Sequence, residues 1–204
     1  MPEEIIDVVN ERDEVIDRKP RSEVHRLGLL HRAAHVLVFN ARGETFLQKR
    51  SMTKDREPGK WDSSCSGHVD SGEDYDACAV RELREEIGLE LSLRKSPFPG
   101  APPRPALSPG GGDGGQRPGE GVQKLRRLFK IAACPETDQE FVWVYRCRAE
   151  GPFRLHPEEI ERGDWFAPEK VSSWIAEKPV DFASAFRFIW GKFNTEAQST
   201  RREI

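Results

Sequence analysis

Apolar residues fall in short clusters along the chain, and their spacing alternates between strand-like and helix-like. Ile5–Val9 and Glu14–Asp17 flank the polar run Asn10-Glu11-Arg12-Asp13, the pattern of a short β-hairpin. Ala34–Asn40 (AHVLVFN) is rich in β-branched and aromatic residues and predicts a strand. Ala41-Arg42-Gly43 predicts a turn, and Glu44–Arg50 a returning strand. Asp74–Ile87 places Val80, Leu83 and Ile87 on one stripe, which predicts a helix packed on a sheet. Ser71 is the expected N-cap, with Asp74 completing a capping box, and Gly88 the expected stop. Lys124–Ala132 and Glu140–Arg148 predict two more strands, and Asp164–Ala167 a short third. Pro168 then opens a helix, where its missing N–H costs nothing. A last helix, Asp181–Phe193, gathers Phe182, Ala185, Phe186, Ile189 and Trp190 on one face. Strands and helices without regular alternation point to an α+β or mixed-sheet α/β domain.

Composition adjusts this picture at one place. Ser96–Gly121 holds 7 of the chain's 15 prolines and 8 of its 17 glycines. Such a run cannot bury enough apolar surface to offset its ordering entropy. It reads as a flexible loop inserted in a single domain of residues 1–193, because neither flank obviously closes a core alone. Residues 194–204 read as a polar tail that frays. The chain has 204 residues, which suits one domain. Its formal net charge of -3 argues against a nucleic-acid or anionic-membrane binder. No apolar run approaches the ~20 residues that span a bilayer. The opening MPEEIIDVVNERDEV lacks a basic-then-apolar signal pattern, and Cys65, Cys78, Cys134 and Cys147 form no CxxC. A reduced, cytoplasmic setting is therefore expected. Dimerisation through the N-terminal hairpin stays open.

The chemistry concentrates in Gly67–Leu89, GHVDSGEDYDACAVRELREEIGL. Glu82, Glu85 and Glu86 fall at i, i+3 and i+4 on a face roughly opposite the apolar stripe. Like charges at this spacing destabilise a helix by ~0.2–0.5 kcal/mol per pair, so a plain solvated face gains nothing from them. Converging carboxylates are what a hard divalent cation requires. The alternative is a charged helix face with no ligand. Gly67, Glu73, Arg81, Glu82, Glu85, Glu86 and Gly88, with Leu83 and Leu89, match every fixed position of G-x5-E-x7-R-E-U-x-E-E-x-G-U. The segment thus resembles the Nudix box. That resemblance implies an α/β/α sandwich on a mixed sheet. It implies one or more Mg²⁺ ions (or Mn²⁺) held by Glu82, Glu85 and Glu86, with the carbonyl beside Gly67 approaching the metal. It further implies that Arg81 orients the carboxylates, that Glu73 ties down the loop, and that a glutamate deprotonates the attacking water. The implied reaction is hydrolysis of the diphosphate linkage joining a nucleoside to another group.

A second likeness covers Leu30–Ala33, Arg50–Lys54 and Pro58–His68, which are similar to the type I isopentenyl-diphosphate isomerases. Their catalytic cysteine position is held here by Ser66, with Cys65 one residue early, and a hydroxyl is a poor substitute for a thiol in proton transfer. Those isomerases bind metal through histidines, a box glutamate and two later acids. His31 and His68 match two positions, His25 lies near a third, and Asp138 and Glu140 match the later acids loosely. Glu140 is a candidate extra base or ligand. Arg50 and Lys54 match phosphate contacts, with a small-molecule diphosphate as the partner. A non-catalytic nucleotide-binding module is a further alternative. Trp61, Phe141, Trp143 and Trp165 are expected to fill the core rather than stack on a base.

Overall fold

The computed structural model describes residues 3–91 and 124–202; the Pro/Gly-rich run Ser96–Gly121 lies outside the described residues. β1 (Ile5–Val9) and β2 (Val15–Pro20) form the expected hairpin. Asn10 makes the turn, its side-chain oxygen accepting from the amides of Arg12 and Glu14 at 2.9 and 3.1 Å. A helix that the pattern does not announce follows directly, α1 (Arg21–Leu27), closed by Gly28 in the left-handed conformation. Only Val24 of its seven residues is fully buried, so it carries no readable stripe.

The main sheet is built around β3 (His31–Phe39) and β8 (Glu140–Arg148), which run parallel in register from His31↔Glu140 to Phe39↔Arg148. β7 (Arg126–Ile131) pairs antiparallel with the outer edge of β8. The other edge of β3 is shared. β6 (Cys65–His68) pairs with Ala33–Val36, whereas β4 (Thr45–Arg50) pairs only with Val38 and Phe39. Beyond Phe46, β4 leaves β3 and pairs instead with β5 (Trp61–Asp62), while β9 (Ile160–Phe166) runs antiparallel along the other edge of β4 from Thr45 to Arg50. The sheet is mixed, and it opens where β4 and β6 part.

Helices cover both faces. α2 (Tyr75–Ile87) packs Cys78, Ala79, Leu83 and Ile87 on Ala34, Val36, Val38, Tyr145 and Cys147. On the other face, α3 (Pro168–Glu177) contributes Val171. There α4 (Ser184–Arg202) packs Phe186, Ile189 and Trp190 on Leu37, Phe39, Val142 and Val144. Each buried Val, Leu, Ile or Phe among these contributes roughly 1.5–3 kcal/mol. The architecture is the expected α/β/α sandwich on a mixed sheet.

Three local expectations need correction. The N-cap of α2 is Asp74, whose carboxylate accepts from the amide of Ala77 at 2.8 Å, not Ser71. A cap must bond the first-turn amides, and Asp74 is the residue immediately before the first turn. Val80 is only half-buried; the stripe facing the core runs through Tyr75, Cys78, Ala79, Leu83 and Ile87, and it includes Glu82 and Glu86. α4 continues to Arg202, past the expected end at Phe193, because residues 194–202 hold no proline or glycine to stop it. Of the four aromatics, Trp61 and Phe141 are buried, and Trp143 and Trp165 pack partly buried against the α2-side core.

β9 is fitted to its neighbour by Gly163. A Cβ there would lie 2.1 Å from the Phe46 ring. Gly163→Ala is expected to destabilise the protein by about 1–3 kcal/mol through overpacking, read as a lower midpoint in urea with an unchanged slope.

Candidate active site

The parting of β4 and β6 opens a cleft of about 970 Å³ between the edge of α2, the β4–β5 loop and the segment leading into β8. Gly67 lies at its inner end. A Cβ on Gly67 would meet the Glu82 carboxylate, with Oε1 only 2.0 Å away. Glycine is required here for close approach. Arg81 then fixes the surrounding acids. Its guanidinium donates to Glu82 Oε1 at 2.6 Å and Glu85 Oε2 at 3.4 Å, to Glu73 at 2.9 and 3.1 Å, and to the carbonyl of His68 at 2.9 Å. Glu73 also accepts from the amide of Asp70 at 3.2 Å, closing the loop before α2.

The three box glutamates are not equivalent. Glu85 is exposed, while Glu82 and Glu86 are buried. They sit beside the apolar stripe rather than opposite it, since 75, 79, 82, 83 and 86 share one side of a 3.6-residue helix. Burial pushes the Glu82 carboxyl up to about 7, although Arg81 pulls the other way. Burial, and the charge of Glu82, raise Glu86 as well. Two buried, mutually repelling carboxylates are relieved by keeping a proton or by taking up a cation. Glu86 Oε2 accepts from Gln48 Nε2 at 3.0 Å and from the amide of Ser66 at 3.1 Å. Both donors meet one oxygen, which leaves Oε1 for a ligand from the cleft. Gln48 was not foreseen: it occupies a core-like position in β4 and is buried, with no motif marking it.

Arg50 and Lys54 both line the cleft, and both are engaged. Arg50 donates to Asp62 Oδ2 at 3.0 Å and to the carbonyl of Arg56, and Lys54 pairs with Glu159. Glu159, before β9, adds a carboxylate to the cleft and was not foreseen either. It is one acid in a charged run, with nothing in its spacing to single it out.

The histidines converge. The rings of His25, His31 and His68 lie 4.9–5.2 Å apart, and one ring nitrogen from each falls within 4.8 Å of the others. Nδ1 of His31 donates to the carbonyl of Leu29 at 2.9 Å, so its Nε2 carries the lone pair in the neutral ring. That Nε2, both ring nitrogens of His25 and Asp138 Oδ2 are buried without an aligned hydrogen bond among the described residues, although His25 Nδ1 and Asp138 Oδ2 approach to 2.9 Å. Orphaned, converging nitrogen and oxygen atoms fit a divalent ion of the imidazole-favouring kind. Glu140, at the start of β8, lies 3.5 Å from His31 Nε2 and 3.3 Å from His68 Nε2. Burial disfavours the charge on His68, but Glu140 and Glu4 overcome it and raise the ring to about 9. Burial likewise opposes the Glu140 charge, yet the two imidazoles hold that carboxyl well below the usual range. Burial and the neighbouring imidazoles push His25 down to about 4.

The family model for the NUDIX domain matches residues 29–186. The chain belongs to the Nudix family. An uncharacterized Nudix hydrolase of Yersinia pestis is 30% identical over 95% of this chain and 88% of its own length. The crystal structure of DR0079 from Deinococcus radiodurans superimposes with a TM-score of 0.65, 26% identity, and coverage of 86% of this chain and 90% of that one. A stretch of 93 residues, 46% of this chain and 52% of its relative, is 40% identical to isopentenyl-diphosphate Delta-isomerase 2 of Photorhabdus laumondii. Family membership implies hydrolase activity. The likeness to the isomerase meets a difference in this Nudix protein. β6 turns Cys65 into the α2-side core, where burial pushes its thiol far up, and points Ser66 to the cleft.

Proposed function

We propose that this Nudix protein hydrolyses a diphosphate linkage, with Mg²⁺ or Mn²⁺ as cofactor, in a substrate where a nucleoside diphosphate is joined to another group. The observation that carries the reading is the pair of buried carboxylates in the cleft, Glu82 pressed against Gly67 and Glu86 bonded to the neighbouring Ser66 amide. Oxygen donors of this kind suit a hard cation, and Glu82, Glu85, Glu86 and the Gly67 carbonyl would hold it. When bound, the ion lowers the pKa of water and neutralises charge on the phosphoryl oxygens. Arg81 keeps Glu82 and Glu85 in place. Arg50 and Lys54 stand ready to exchange their present carbonyl and carboxylate partners for phosphate oxygens. The proton of the attacking water is assigned to a box carboxylate. Glu140, held below the usual carboxylate range, is a poor proton acceptor and acts instead as an anionic anchor for the His68 ring, 3.3 Å away.

The test is a Mg²⁺-dependent screen over dinucleotides, nucleotide sugars, coenzymes and oxidised nucleotides, run in ¹⁸O water to show which phosphorus is attacked. Turnover dependent on the metal and lost in Glu82→Gln supports the reading. Turnover that survives chelation by EDTA sinks it.

The orphaned atoms of His25, His31 and Asp138 favour a second cation beside His68, which would join the ligands by giving up its ring proton; the isomerase likeness implies metal at His31 and His68. Zn²⁺, Co²⁺ or Mn²⁺ at a hundredfold excess over Kd is expected to stabilise the protein by about 2.7 kcal/mol. His25→Ala removes one imidazole without breaking an aligned hydrogen bond and is expected to abolish most of that shift in the thermal melt. An equal shift in the variant would remove His25 from the ligand set.

A further inference from the structure

One buried side chain of the cleft has no part in the chemistry above. His35, in β3, is only 4% exposed, yet its ring lines the cleft. It stands opposite Ser66 in the β3–β6 register, and directly opposed residues share one face of a sheet. Its neighbour Ala34 pairs with Gly67, so the ring lies alongside the strand that carries the inner end of the cleft. Nδ1 of His35 is 2.8 Å from the Ser63 hydroxyl. Nε2 has no hydrogen-bond partner among the described residues, and it is not sealed off as the orphaned nitrogens of His25 and His31 are.

The Ser63 hydroxyl decides which nitrogen carries the hydrogen. It has one proton and three acceptors in reach: His35 Nδ1 at 2.8 Å, the Cys65 carbonyl at 3.3 Å and Asp62 Oδ1 at 3.4 Å. The two oxygens lie beyond the usual range for an O–H donor. Asp62 is also supplied already, Oδ1 by the Ser63 amide at 2.8 Å and Oδ2 by Arg50 at 3.0 Å. The hydroxyl therefore donates to Nδ1. Burial pulls the ring below its usual pKa, so at neutral pH it is uncharged and its single hydrogen sits on Nε2, toward the cleft. That hydrogen meets no competing acid. Each arginine and lysine lining the cleft is held by a carboxylate, Arg50 by Asp62 and Lys54 by Glu159 among them. A phosphate oxygen must displace an acid to reach any of those cations, and displaces none to reach His35.

Resting on the diphosphate reading of this cleft, we infer that His35 is a further substrate-binding residue, its Nε2–H donating to a phosphoryl oxygen, and that Ser63 is the positioning residue that holds the ring in that tautomer. A neutral imidazole suits the task. It polarises an oxygen without carrying a charge that burial opposes, and its bond to an ionised acceptor is stronger than one between neutral groups.

The experiment uses the full chain with Mg²⁺ and ¹⁵N label in its five histidines. The His35 ring signals are those missing from His35→Gln. In the free protein they are expected to show the Nε2–H tautomer, and to lose it in Ser63→Ala. The Nδ1–H tautomer in the wild type, or an unchanged tautomer in Ser63→Ala, overturns the assignment. Methylenediphosphonate, a diphosphate mimic that water does not cleave, is expected to shift the His35 Nε2 proton downfield and slow its exchange. His35 signals unmoved at saturation, or a mimic that does not bind, overturn the inference. Kinetics on a substrate from the screen add a second arm. His35→Phe is expected to raise KM by about 10- to 150-fold with a smaller change in kcat, the scale of a lost hydrogen bond to a charged group. His35→Gln, whose amide can present an N–H in place of Nε2–H, is expected to recover most of it. Equal losses in both variants at equal melting points overturn the inference and leave the hydrolase reading intact. If the screen finds no substrate, the hydrolase reading falls, and the spectra alone decide whether His35 meets phosphate.

Discussion

Glu86→Gln is expected to lower kcat/KM for a diphosphate substrate by on the order of 10²–10³-fold or more, the scale on which loss of one transition-state electrostatic contact is felt. The same change is expected to leave the melting temperature unchanged or raise it. Both outcomes follow from one geometry. Glu86 Oε2 already receives the Gln48 amide and the Ser66 N–H. In the glutamine variant the side-chain carbonyl must take that place, because an NH₂ group there would face two donors. The NH₂ then occupies the position of Oε1 and presents hydrogens where an anionic oxygen is needed. Folding moves the other way. The carboxyl of Glu86 is buried and its charge is disfavoured by that burial and by Glu82, so a neutral amide removes a cost from the native state. Parallel measurement of kcat/KM and of the thermal midpoint checks both. Activity near the wild-type level would remove Glu86 from the cation site. A lost fold would show that its charge is needed for packing rather than for chemistry.

The opposite signs explain why the box glutamates read imperfectly from the sequence. Their spacing placed Glu82, Glu85 and Glu86 on one patch, and the motif gave them a role, but amphipathic logic put that patch away from the core. A stripe drawn through Val80, Leu83 and Ile87 assumes that buried positions are apolar. Glu82 and Glu86 break the assumption because the site lies at the seam between helix and sheet, where buried acids are held by Arg81, Gln48 and the Ser66 amide. Conflicts between local pattern and global packing are expected where function sits. By contrast β3, β4 and β8 were legible, since each buries enough residues to show in its apolar and β-branched content, and α3 was legible from the proline at its first turn.

What the chain hides is convergence across distance. His25, His31, His68, Asp138 and Glu140 are brought together by α1, β3, β6 and β8, and no short-range pattern links them. His31 and Glu140 become neighbours through the parallel register of β3 and β8. His25 arrives on α1, a helix too short and too exposed to announce itself, which precedes the matched family span. Resemblance suggested His31 and His68 as partners, but only the folded arrangement shows that His25 faces them and that Asp138 lies beside it. Gln48 and Glu159 had no signal at all, because their importance lies in what they touch.

Gly67→Ala tests the seam itself. A methyl group at this position would lie 2.0 Å from Glu82 Oε1 and 2.3 Å from its carboxyl carbon, well inside van der Waals contact. One of two things must give. If β6 holds, the Glu82 carboxylate swings out of its place beside Arg81, and the 2.6 Å contact to the guanidinium breaks. If α2 yields, the packing of Leu83 and Ile87 on the sheet is disturbed, and overpacking of this kind costs about 1–3 kcal/mol. A side chain is softer than a helix buried along its length, so the carboxylate is expected to move. The variant should therefore fold with a modest loss of stability and lose on the order of a hundredfold in kcat/KM, the range seen when a group near the chemistry is displaced by about 1 Å. Mn²⁺ titration read by electron paramagnetic resonance separates the causes. Weaker binding with a near-normal melting point places the defect at the cation site, whereas unchanged Mn²⁺ affinity would show that Gly67 and Glu82 are close for reasons of packing alone.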